Sequence, residues 1–219
     1  MALPSRKSAG RLFALSGAFL PLFFFGQAVA FFPAALTGAT LGVALFYLFR
    51  IDDLKVAAPE CALTLAGFLY VPLLLGHLIL MRNLSHGVQL IFLLFLLVMS
   101  GDTGAYYVGR SLGRRKLYPL VSPNKSVEGA LGGLAGSLLG AVIAGRTFFP
   151  ELTMGDCFLM ALVIGPLGQM GDLFESLLKR SFGVKDSGTI IPGHGGILDR
   201  LDSILFAAPA LYYYARYLA

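Results

Sequence analysis

The chain has 219 residues, 57% of them hydrophobic and 13% charged, about half the charged share of an ordinary soluble domain, and its mean hydropathy is +0.77. A water-soluble fold of this size could not bury that much apolar surface, and the membrane-spanning stretches leave no room for a separate soluble domain. The net charge of +5 therefore bears on orientation in a bilayer, and nucleic acid is not expected as a partner.

The expected fold is all-α: a polytopic helical membrane protein forming one domain over residues 1–219. Apolar windows predict seven spans, at roughly 12–32, 34–49, 61–81, 88–109, 128–148, 155–178 and 198–218. A span of 21 residues covers about 31 Å, enough for the hydrocarbon core. The first begins like a signal peptide, basic and then apolar up to Ala28-Val29-Ala30. Its length and its continuation into Phe31-Phe32 favour an uncleaved anchor. The second is short, so the first two could instead form one re-entrant hairpin. Cys61 and Cys157 fall in or beside apolar segments and read as packing residues.

Seven spans place every basic residue except Arg82, Arg146 and Arg216 on one side. The positive-inside rule makes that side cytoplasmic, with the N-terminus in and the C-terminus out. Gly132, Gly136 and Gly140 repeat at four-residue spacing, as do Gly129 and Gly133. Small residues so spaced let helix backbones approach closely. They read as packing within the chain, with a homodimer seam as the alternative. His77 and His86 have no partner in sequence and read as incidental. Tyr212, Tyr213, Tyr214 and Tyr217 read as an interfacial aromatic belt.

The second half is different in character. Asp102 and Asp172 interrupt apolar helices, and Asp199 and Asp202 open the last one. Ionisable groups at membrane depth are costly unless they face a polar cavity or a partner. Four of them near one end of three helices therefore read as one site. Asp172, Ser176 and Lys179 fall at i, i+4 and i+7 on one helix face, and Asp199 and Asp202 at i and i+3. Asp172, Asp199 and Asp202, with no His or Cys beside them, describe a hard-cation site suited to Mg²⁺. The connecting loop adds Lys179, Arg180, Lys185 and Arg200 as phosphate-binding cations, among glycines that admit an anion to the backbone. His194, between glycines, is a candidate proton shuttle, phosphate donor or loop anchor. No G-x-x-x-x-G-K-[ST] loop is present, which excludes an ordinary P-loop.

Ser176-Leu177-Leu178-Lys179-Arg180, then Lys185-Asp186-Ser187-Gly188, then Ile191-Pro192-Gly193-His194-Gly195-Gly196-Ile197-Leu198-Asp199-Arg200-Leu201-Asp202 resembles the signature of the phosphatidate cytidylyltransferase family. Gly101-Asp102-Thr103-Gly104-Ala105-Tyr106, Gly109-Arg110 and Ser122-Pro123-Asn124-Lys125-Ser126-Val127-Glu128-Gly129 are similar to that family's second region. The resemblance covers about residues 100–202 and departs at Asn124 and Ser126, where the family more often has Lys and Thr. Family members commonly carry more N-terminal spans than are read here.

The resemblance implies CTP and phosphatidate as substrates, CDP-diacylglycerol and pyrophosphate as products, and a bacterial inner-membrane enzyme working at the cytoplasmic face. It implies Lys179, Arg180, Lys185, Asp186, His194 and Arg200 as catalytic residues. Asp102, Tyr106, Ser122, Lys125, Ser126, Glu128 and Ser176 are implied as substrate-binding, and a second, monovalent cation such as K⁺ beside the Mg²⁺. Two rival classes fit less well. The D-x-x-D-G-x-x-A-R core of the CDP-alcohol phosphotransferases is missing after Asp199. A cation-coupled transporter would show internal repeats and midplane helix breaks.

Overall fold

The computed structural model describes residues 32–50, 54–188 and 196–218. The predicted span 12–32, the N-terminal anchor and His194 fall outside the described residues, apart from Phe32 itself. The chain divides into two compact units, residues 1–83 and 84–219. The division falls beside the turn at Asn83–His86, where His86 adopts a left-handed backbone (φ 60°) ahead of the next helix.

The first unit contains α1 (Phe32–Arg50), α2 (Leu54–Phe68) and α3 (Leu74–Arg82). A π-helical turn at Leu69–Leu73 joins α2 to α3. Pro72 sits in that turn and has no N–H to give to an α-helical bond, so the wider turn absorbs it without ending the helix. Together these pieces form one apolar helix over Ala57–Arg82, longer than the predicted 61–81. Polar groups buried here bond locally. Tyr47 Oη and Thr64 Oγ1 lie 2.9 Å apart, and Thr64 also donates to the Glu60 carbonyl. His77 Nδ1 donates to the Leu73 carbonyl at 3.0 Å.

The second unit contains α4 (Gly87–Leu112), β1 (Lys116–Tyr118), β2 (Ser122–Ser126), α5 (Val127–Thr147), α6 (Met154–Ser181) and α7 (Leu198–Tyr217). The four helices match the predicted spans to within a few residues. Four helices among the described residues are long and apolar enough to cross a membrane: residues 57–82, α4, α5 and α6. The apolar part of α1 is shorter, residues 36–49. α7 carries Asp199, Arg200 and Asp202 at one end and Arg216 at the other. The chain is therefore an all-α polytopic membrane protein, with a small antiparallel β1–β2 hairpin between two of its helices.

The glycine stripe is used inside the chain. A Cβ on Gly132 would stand 2.8 Å from the Gly104 carbonyl, one on Gly129 2.9 Å from that of Ala105, and one on Gly140 3.0 Å from that of Leu96. The stripe of α5 thus lies directly on the backbone of α4, and these glycines are not free to form a dimer seam. Ser137, buried on the same face, donates across to the Leu97 carbonyl at 3.0 Å. Around this contact the core is aliphatic, with Leu93, Leu94, Leu97, Met160, Ile164 and Leu205 almost wholly buried.

The C-terminal tyrosines divide into two sets. Tyr213 and Tyr217 stack on each other at the surface, as a membrane-interface pair would. Tyr212 is buried, and Tyr214 donates to Asp156 at the start of α6. Those two are packing residues, because a phenol inside the bundle needs a partner for its hydroxyl.

Candidate active site

Three helices and the hairpin line an open pocket of about 580 Å³ in which charged side chains stand among apolar walls. Asp102, Tyr106 and Arg110 line it from α4, Lys125 from β2, and Gln169 and Asp172 from α6. Local sequence explains the placement. Asp102, Tyr106 and Arg110 lie one helical turn apart, so they share a face. The hairpin folds Lys125 back over that face, with Lys116 opposite Ser126 and Tyr118 opposite Ser122. Ser126 then caps α5 by accepting from the Gly129 amide at 3.1 Å. Glu128, in the first turn of α5, accepts from the amides of Arg114 and Arg115 at 3.0 and 3.2 Å, which ties the hairpin to the helix.

In the pocket lining Lys125 Nζ pairs with Asp172 Oδ2 at 2.7 Å. Arg110 donates to Tyr106 Oη at 3.0 Å and has no carboxylate partner in an ion pair among the described residues. Gln169 Nε2 is held by the Ala130 carbonyl at 3.1 Å. Asp102, Asp172 and Asp202 lie within Coulombic range of one another, with Lys125 and Lys179 as the nearby positive charges. Gly171 makes this proximity possible: a Cβ there would collide with the Asp202 carbonyl, so α6 and α7 touch backbone to backbone beside Asp172.

A second group of charges organises the α6–α7 loop. Lys179, in the last turn of α6, ion-pairs with the fully buried Glu175 and with Asp199 Oδ1 at 2.6 Å. Asp199 Oδ2 accepts from the Ser187 amide (2.9 Å), the Ser187 hydroxyl (2.7 Å) and the Gly196 amide (2.7 Å). One carboxylate thus gathers both ends of the intervening segment. α6 itself stops at Gly183, whose φ of +65° only glycine adopts without strain. There Val184 donates back to the Lys179 carbonyl at 2.9 Å.

The structure therefore brings Asp102, Tyr106, Lys125, Ser126 and Asp172 to one pocket. Ser176 reaches Asp172 only weakly, at 3.4 Å. Ser122 and Glu128 belong to the hairpin and its anchor and do not line the pocket. Arg180, Lys185, Asp186 and Arg200 are exposed around the loop. Asp199 departs from the metal set expected from sequence, because its oxygens are committed to Lys179, Ser187 and Gly196. Among the described residues no group of three or more His, Cys, Asp or Glu side chains is arranged to hold a metal ion. Asp202 keeps one oxygen on the Ser203 amide at 2.7 Å.

Asp199 carries four close contacts on its two oxygens, whereas Asp172 has Lys125 and a weak Ser176 contact and Asp202 the Ser203 amide, so these two carboxylates of opposing helices are the less committed hard oxygen donors. That is enough for Mg²⁺, which commonly binds through one or two carboxylates together with substrate phosphates. Sequence reasoning passed over Glu175 and Gln169. Glu175 stands four residues before Lys179, the spacing of a helical ion pair. Gln169 is an isolated amide in an apolar run, a signal that a partner is needed.

Comparison with known proteins agrees with this architecture. The model of the cytidylyltransferase family matches residues 1–218. The phosphatidate cytidylyltransferase of Bacillus subtilis strain 168 is 47% identical over 152 residues, covering 69% of this chain and 56% of that protein. The phosphatidate cytidylyltransferases of Staphylococcus saprophyticus and Staphylococcus aureus strain COL are 43% and 44% identical, covering 69% of this chain and 58% of each. The chain spans just over half the length of these curated relatives. With the family model matched along almost its whole length, the chain belongs to the cytidylyltransferase family.

Proposed function

We propose that this protein is a phosphatidate cytidylyltransferase, joining CTP to phosphatidate to give CDP-diacylglycerol and pyrophosphate. The observation that carries the reading is the Lys125–Asp172 ion pair lining a pocket between apolar helices. Charged groups among membrane-spanning helices serve a polar ligand or a partner, and relatives named for this reaction are 43–47% identical over 152 residues.

In the reaction a phosphate oxygen of phosphatidate attacks the α-phosphorus of CTP. The new P–O bond forms as the bond from the α-phosphorus to the α–β bridging oxygen breaks, and pyrophosphate leaves with that electron pair. A phosphomonoester is already largely ionised near neutral pH, so positioning and charge neutralisation carry the rate. Lys125 can exchange Asp172 for a phosphate oxygen. Arg110, Arg180, Lys185 and Arg200 surround the route as further cations. Lys179 serves through Asp199, holding the loop.

Mg²⁺ belongs to this reading, held by Asp172 and Asp202, and supplies neutralisation of the polyphosphate charge when bound; a monovalent cation beside it is part of the same proposal. Most basic residues of the second unit, Arg146 and Arg216 apart, lie towards the pocket end, which supports a cytoplasmic pocket in a bacterial plasma membrane, with the N-terminus in and the C-terminus out as part of the same proposal. The test is incorporation of labelled CTP into lipid by purified protein given phosphatidate, with and without Mg²⁺. Chloroform-soluble label that requires both phosphatidate and Mg²⁺ is the expected result. Its absence from well-folded wild-type protein refutes the proposal.

A further inference from the structure

The outward face of α4 is continuous with the pocket. Phe92, Phe95, Met99, Thr103, Tyr106 and Arg110 follow one another at three- and four-residue steps, so they form one stripe along the helix. All six are exposed; Phe92 and Met99 keep more than 60% of their surface. The first three are apolar. Thr103 bonds its hydroxyl back to the Met99 carbonyl at 2.7 Å, which leaves its methyl on the stripe. Tyr106 and Arg110 then carry the stripe into the pocket, where Lys125 lies. The stripe therefore changes along its length from hydrocarbon-like to cationic.

We propose that this stripe is the seat of the phospholipid substrate: the phosphomonoester lies between Arg110 and Lys125, and an acyl chain runs back over Tyr106, Met99 and Phe95. The proposal rests on the cytidylyltransferase reading and adds where the lipid, as distinct from the nucleotide, binds. Three observations favour a phospholipid as occupant. Arg110 is a cation without a carboxylate partner among the described residues, and it complements a doubly charged headgroup. Tyr106 beside it is an amphipathic ring suited to the glycerol region. The rise from Phe95 to Arg110 is about 22 Å, roughly half the thickness of a bilayer with its headgroups. The exposed stripe of α5, through Leu131, Leu139 and Ile143, is as apolar but includes no residue that lines the pocket.

The test uses the full chain in vesicles of phosphatidylcholine containing labelled phosphatidate. A photo-crosslinking residue replaces Phe95, or Leu139 as the control. The residue at position 95 is expected to capture phosphatidate over phosphatidylcholine by about fivefold or more, and the one at 139 to capture the two in proportion to their abundance. Arg110→Gln should abolish the preference at 95 and raise the KM for phosphatidate about tenfold or more, the range of one charge-assisted contact. The KM for CTP should stay within about twofold. Equal capture of both lipids at position 95 overturns the proposal, as does a rise confined to the KM for CTP. Preferential capture by a wild-type protein that forms no CDP-diacylglycerol would leave the lipid seat standing and sink the reaction.

Discussion

Lys179 is the best place to measure what the loop anchor contributes. Lys179→Met keeps most of the side chain's volume and removes the ammonium between Glu175, fully buried, and Asp199, whose side chain is 11% exposed. Two carboxylates are then left facing each other with no cation between them. Removing one partner of a buried ion pair costs about 3–5 kcal/mol. Because the Lys179 side chain is itself 19% exposed, water screens part of the loss and the lower end, about 3 kcal/mol, applies. For a protein of this size that lowers the midpoint of thermal unfolding by roughly 6–12 °C. Adding Glu175→Gln to Lys179→Met removes one stranded charge and should restore about 1–2 kcal/mol, a coupling in the range seen for contacting residues. Unfolding in detergent can be followed with a thiol-reactive dye in a Cys61→Ser background, because Cys157 is 1% exposed and reacts only when the bundle opens. A Lys179→Met protein within about 0.5 kcal/mol of wild type would refute the reasoning. So would a double variant less stable than the single one.

Asp199→Ala should release the chain at Ser187 and Gly196, so trypsin should cut at Lys185 several times faster than in wild type while α6 and α7 stay intact. Gly136→Val drives a branched side chain into the α4 backbone and should cost about 1–3 kcal/mol in the same thermal assay; Gly183→Val, at a left-handed position, should cost about 1–2 kcal/mol. Lys125→Met should lower kcat by about a hundredfold or more, the scale of losing one preorganised charge, read as labelled CTP entering lipid. A Lys125→Met protein with wild-type turnover would remove that residue from the chemistry. Chelating divalent ions with EDTA should abolish turnover, and Mg²⁺ but not K⁺ alone should restore it.

The helices of the second unit were legible because each apolar run ends at charges or glycines that cannot enter the bilayer cheaply. Gly101-Asp102 and Gly171-Asp172 announced the site, since no packing argument accounts for carboxylates there. The hairpin was hidden: Ser122-Pro123-Asn124-Lys125-Ser126 has no alternation of apolar residues, and its strand geometry is set by pairing with Lys116–Tyr118, beside which Glu128 holds the Arg114 and Arg115 amides. The separate fates of Asp199 and Asp202 were hidden too. Both begin α7, but Asp199 looks to the end of α6 and the loop, and Asp202, most of a turn further in, faces Asp172. Helical spacing places them near each other without saying which neighbour each one meets. Likewise four tyrosines close together in sequence look alike until Asp156 draws Tyr214 inward.

The Tyr214–Asp156 bond and the Lys179–Asp199 pair sit towards opposite ends of α6 and α7, separated by a rise of about 35 Å along α6 and about 22 Å along α7. Two helices bolted at both ends, and touching backbone to backbone at Gly171 between the bolts, cannot slide or splay like a hinge. They act as a fixed wall. The opposite side of the pocket is the β1–β2 hairpin, tied by Glu128 to the Arg114 and Arg115 amides, by the Ser126 cap and by the Lys125–Asp172 ion pair. Whatever the pocket takes in therefore meets one side clamped at both ends and another whose ties are single side-chain contacts.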